Sequence, residues 1–153
     1  MKKLFALILT VCLLASMSVT AFAANTTGGD ADITTSIAPT YTVTIPADVN
    51  VQFNATETDF GAIEVTASQI HPDKCIKVAL ATDKELNNAI DNTKVIPYAI
   101  KDSTDAAFTS ATYLTEGDKT ELSIHITADD WNAAYAGDYS DTVTFTVSYE
   151  DKA

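Results

Sequence analysis

The sequence predicts an all-β fold, an antiparallel β-sandwich of about 7–9 strands with one short helical turn. Two observations carry the prediction. Apolar and polar residues alternate with period two in short segments along the chain, the signature of strands covered on one face. Turn-forming clusters separate those segments: Pro46-Ala47-Asp48, Thr82-Asp83-Lys84, Lys101-Asp102-Ser103 and Glu116-Gly117-Asp118. The length left after the first 24 residues, about 129 of 153, suits one domain with its own core.

Taken in order, Lys2 and Lys3 precede an uncharged apolar run from Leu4 to about Val19, which Ala21-Phe22-Ala23-Ala24 closes. The run is short for a membrane span of roughly 20 residues, its charges stand before it and an A-x-A pattern ends it. These features predict a secretory signal peptide over 1–24, cleaved after Ala23 or Ala24, and nothing membrane-bound once it is gone. Residues 25–32, NTTGGDAD, read as a flexible segment, and 33–153 as a single sandwich domain.

The first strand pattern sets Tyr41, Val43 and Ile45 on one face and Thr42 and Thr44 on the other. It returns at Val49, Val51 and Phe53, at Ile76, Val78 and Leu80, at Ile96, Tyr98 and Ile100, and at Leu122, Ile124 and Ile126. The clearest strand is the last, where Val143, Phe145, Val147 and Tyr149 alternate with Thr142, Thr144, Thr146 and Ser148. Two stretches have helical character. Asp83 to Ile90 amounts to a turn or two. Ala128 to Ala136 has Thr127 or Asp129 as cap and Gly137 as stop, which sets Trp131 and Tyr135 on one side as a plug over one end.

Beyond residue 24 the chain keeps all 21 acidic residues, seven of its nine lysines and no arginine, a net charge of about −14. That field repels phosphate, so neither nucleic acid nor an anionic membrane is an expected partner. Cys12 leaves with the signal, and Cys75 then has no partner for an internal disulfide. The alternation sets Cys75 away from the core with Lys77 and Ala79. It reads as an intermolecular thiol or as a small apolar residue under a loop.

Catalytic patterns are missing. His71 stands beside Pro72 and His125 between Ile124 and Ile126, neither with a Cys or His at metal-ligand spacing. Asp59-Phe60-Gly61 spells a kinase tripeptide without its companion motifs and fits a bend at a strand start, and no G-x-S-x-G elbow occurs. Asp30 with Asp32 and Asp129 with Asp130 lack the spacing of a calcium loop, so no cofactor is expected beyond weak calcium binding. Among the aromatics, Tyr41, Tyr98 and Tyr149 hold core-side positions. Trp131, Tyr135 and Tyr139 remain as a candidate ligand patch for a sugar ring, although a lone Trp at a sandwich end commonly caps the core with its N–H on backbone.

The stretch from Ala136 to Tyr149, AGDYSDTVTFTVSY, fits the pattern G-x-Y-x-x-x-V-x-F-x-V and resembles the final strand of bacterial surface β-sandwich modules. It is similar to the C-terminus of spore coat protein U domains, which are pilin-like subunits of chaperone–usher fibres, and to the end of WxL-type domains. The resemblance implies an immunoglobulin-like or pilin-like sandwich. Pilin-like families assemble by donating an N-terminal strand to a neighbour's incomplete sandwich, which here makes Asp32 to Ala38 the donor, with Ile33, Thr35 and Ile37 as donor-strand residues.

The expected function is therefore a non-catalytic structural or adhesin-like module, secreted or held at the cell surface. Its expected partners are other surface proteins or copies of itself. The alternative is a module that binds glycans or another ligand through the Trp131–Tyr139 corner.

Overall fold

The computed structural model describes residues 30–152; the expected signal peptide and residues 25–29 lie outside them. In chain order the elements are β1 (Thr40–Thr44), β2 (Glu57–Gln69), β3 (Lys74–Ala81), β4 (Glu85–Asn88), β5 (Val95–Pro97) and β6 (Ala99–Asp102). They continue with β7 (Ser110–Tyr113), β8 (Lys119–His125), α1 (Ala128–Ala133), β9 (Tyr139–Ser140) and β10 (Thr144–Asp151). The protein is an all-β sandwich, with ten strands among the described residues where the sequence suggested up to about nine.

The first sheet runs β1-β2-β8-β6, the second β10-β3-β7, and a small third sheet β5-β4-β9, every pair antiparallel. Inward residues of all three make one core: Val43, Ile63, Val65, Ile100 and Leu122 from the first, Ile76, Val78 and Tyr113 from the second, Ile96 from the third.

The longest strand, β2, has no clean alternation in sequence. Its buried residues are Phe60, Ile63 and Val65, whose spacing changes parity. A bulge between Asp59 and Gly61 explains this: the register with β8 passes from Asp59↔Ser123 to Gly61↔Leu122, leaving Phe60 as the extra residue. Gly61 adopts φ 97, where an L side chain is strained, and its N–H donates to Asp59 Oδ1 at 2.8 Å. The bulge brings Phe60 and Ile63 onto the same inner face.

Four expectations are corrected. Val49, Val51 and Phe53 form no strand; they lie in the loop 45–55, where Pro46 has no N–H to pair and Asn54 turns at φ 64. Asp83 to Ile90 is not helical. Lys84 at φ 63 turns the chain into β4, whose Leu86 pairs with Ile96, so tertiary pairing overrides a weak helical tendency. Ile96, Tyr98 and Ile100 do not share one strand, because at Pro97 the chain leaves the third sheet and enters the first. Finally, Cys75 is buried at 4% exposed, with its thiol donating to the Asp151 carbonyl oxygen at 3.7 Å across to the end of β10. Pairing between chains would require that end to open.

Candidate functional site

β10 pairs with β3 along its whole length, from Thr144↔Ala81 to Asp151↔Lys74. Its opposite edge has no partner among the described residues. The inward residues Phe145, Val147 and Tyr149 are only half-buried, whereas Ile76 and Val78 beside them on β3 are fully buried. Two aromatic pairs bridge the open side: Phe145 to Phe60 at 6.1 Å between centroids, and Tyr149 stacked on Tyr41 at 5.8 Å. An unpaired strand edge with incompletely covered apolar residues is a surface suited to strand addition.

Residues 30–39 are exposed and without regular structure. Ile33 is 99% and Ile37 69% exposed, unusual for large aliphatic side chains, and Thr35 between them is exposed as well. An extended strand over 32–38 would measure about 23 Å, close to the roughly 26 Å of the eight-residue β10.

Beside β10 opens a cleft of about 740 Å³. One wall carries Leu86, Ile96 and Tyr139, the other Val43, Phe60, Ile124 and Phe145. Trp131 and the loop after β1, with Ile45 to Val51 and Phe53, line it as well. Three aspartates, Asp48, Asp138 and Asp141, line it, and among the described residues no basic side chain does. In its wall the hydroxyl of Tyr98, a residue 8% exposed, donates to the Asp141 carboxylate, and Thr82 Oγ1 donates to the same Oδ2 at 2.9 Å. Burial raises the Tyr98 pKa, and its bond to Asp141 raises it further, so the phenol stays protonated and remains a donor.

The three residues of the aromatic corner separate. Trp131 lies in α1, which begins at the Thr127 cap: Thr127 Oγ1 accepts the Asp130 N–H at 3.1 Å and donates to the Asp130 carboxylate. The indole turns inward, donating to the Ala55 carbonyl oxygen at 2.8 Å and meeting Phe53 edge-on at 5.6 Å. The helix ends at Ala133, ahead of the expected stop at Gly137, so Tyr135 falls outside it. Tyr135 faces solvent with the Lys94 ammonium 5.1 Å from its ring. Tyr139 lines the cleft and donates to the Tyr135 carbonyl oxygen at 2.9 Å. Trp131 and Tyr139 therefore share a cavity that Tyr135 does not reach.

The remaining candidates make local contacts. His71 Nδ1 bonds Asp73, and His125 Nε2 lies 2.9 Å from Ser123 Oγ. Among the described residues no three His, Cys, Asp or Glu side chains converge as metal ligands. Asp130, one of the loop carboxylates, is engaged by the helix cap. The Thr82–Tyr98–Asp141 cluster had no sequence signal, since its members stand 16, 43 and 59 residues apart. No known family model matches the chain, and no curated protein matches it.

Proposed function

We propose that this chain is a non-catalytic module of an extracellular or cell-surface assembly, and that copies join by strand addition, residues 32–38 of one pairing with the free edge of β10 in the next. One observation carries the reading: β10 leaves an edge unpaired and its inward side chains half-covered while the same chain holds Ile33 and Ile37 in solvent. Docking would cover both apolar sets and supply β10 with backbone partners. The similarity of the Ala136–Tyr149 stretch to pilin-like modules supports the same reading, and its similarity to WxL-type domains supports the surface location alone. Removing residues 31–38 should convert self-associated protein to monomer in size-exclusion chromatography, and a synthetic 31–38 peptide should bind the shortened protein. Monomer in both forms together with no peptide binding rejects the reading.

The cleft favours a second reading. Its volume falls in the range of about 300–1,000 Å³ typical of small-ligand sites, and Trp131 and Tyr139 offer ring faces to a sugar or similar ligand. Its test is retention on a panel of immobilised polysaccharides, lost in Tyr139→Ala. Failure to bind any member retires it.

A further inference from the structure

The third sheet joins the rest of the molecule through four connections, and three of them meet in one hydrogen-bonded cluster. The chain leaves β3 for β4 through Thr82, leaves β5 for β6 through Tyr98, and leaves β9 for β10 through Asp141. The Tyr98 and Thr82 oxygens lie 2.9 Å apart, and both hydroxyls address Asp141 Oδ2. Thr82 Oγ1 also accepts the Lys84 N–H at 2.9 Å, and the Lys84 carbonyl accepts the Tyr98 N–H at 2.9 Å. Asp141 Oδ1 takes the Thr142 N–H at 2.6 Å, which holds the start of the run into β10. Every route between the two main sheets and the third, except the one through α1, is thus tied to a single carboxylate.

That fourth route crosses Gly137 at φ 148, and Lys84 at φ 63 stands where β4 begins. Both are single residues between elements, where a small change of backbone angle swings the next element as a unit. The third sheet itself is slight: β9 pairs with β4 through two residue pairs, and β5 with β4 through three. It lines the cleft with Leu86, Ile96, Tyr139 and Ser140, and the first and second sheets line it with Val43, Phe60, Ile124 and Phe145.

We infer that the third sheet is a hinged cap over the cleft and that Thr82, Tyr98 and Asp141 are the latch that sets its aperture. With the latch made, the three connections share an anchor and the cleft keeps its present width. With the latch broken, Leu86 and Ile96 still pack, but the connections move independently and the cap opens more often.

Tyr98→Phe removes the hydroxyl and keeps the ring, so it tests the latch with little disturbance of packing; Asp141→Asn and Thr82→Val attack the same cluster from the other connections. Hydrogen exchange should accelerate about tenfold in the amides of β4 and β5 in Tyr98→Phe, while those of β2 and β8 stay unchanged. The uncharged dye Nile red should bind the variant more tightly than wild type. Equal acceleration in all sheets assigns Tyr98 to global stability alone and overturns the latch. Unchanged exchange in β4 and β5 overturns it too. If Asp141→Asn fails to fold, Tyr98→Phe and Thr82→Val still decide the question.

Discussion

β2 and β10 are both long strands of the same sandwich, and they invert the relation between sequence pattern and burial. β10 alternates apolar and polar residues clearly, yet its inward Phe145, Val147 and Tyr149 are half-buried because one edge and the adjoining side are open. β2 has its parity broken at Phe60, yet Ile63 and Val65 are fully buried because β1 and β8 flank it. A regular alternation marks a strand that contributes one face to a core; it does not tell how completely the neighbours cover that face.

The sharpest test compares one aliphatic truncation in each strand. Ile63→Ala removes a side chain from a fully enclosed site and should cost about 3 kcal/mol, because the surrounding sheets cannot collapse into the space. Urea unfolding measures it. Val147→Ala, on the open side of β10, should cost only about 1 kcal/mol in the monomer, since water already reaches the site. Its larger effect should fall on association: the 31–38 peptide should bind the Val147→Ala protein more weakly by more than the monomer's stability loss explains. Equal losses in the two variants would erase the difference between the strands.

Legibility in the sequence obeys the same physics. Tyr41–Ile45, Ile76–Leu80, Leu122–Ile126 and the run ending at Tyr149 kept their alternation because one face meets the core and none of them carries the extra residue of a bulge; where the β1–β2 register shifts at Thr42/Val43, the extra residue, Thr66, belongs to β2. The helix cap at Thr127 was legible because capping is a local interaction. β2 was hidden by its bulge, and β7, with the sequence SATY, by its small residues. The cleft and its cluster were illegible for a different reason. Thr82, Tyr98 and Asp141 meet only after three sheets have formed, and no local pattern anticipates that meeting.

The smallest expected effect separates the two strands by the charges beside them. At the closed side, Asp118 Oδ2 accepts the Leu114 N–H at 2.7 Å and the Thr115 N–H at 2.9 Å, and the Asp118 carbonyl accepts the Val65 N–H of β2 at 3.0 Å. These backbone donors hold the Asp118 carboxyl below its ordinary 3.8. On β10, Glu150 is held below its ordinary 4.5 first by the Ser148 hydroxyl and then by Lys77, whose ammonium lies 3.3 Å away. Both groups have folded pKa values below the unfolded ones, so each contributes stability above its ordinary value and loses it as pH falls through the lowered one. The screening differs. Amide donors are insensitive to salt, whereas the exposed Lys77–Glu150 pair weakens with it. Stability should therefore fall below about pH 4 in wild type, and Asp118→Asn should flatten the part of that fall due to Asp118, at any ionic strength and at a cost of about 1 kcal/mol near neutrality, while Asp73, Asp91, Asp102 and Asp105, also held low, keep the rest. Glu150→Gln should flatten it detectably only at low salt. If the flattening that Asp118→Asn produces itself varied strongly with salt, the Asp118 contact beside β2 would rest on charge, as the Lys77–Glu150 pair between β3 and β10 does, and not on its turn.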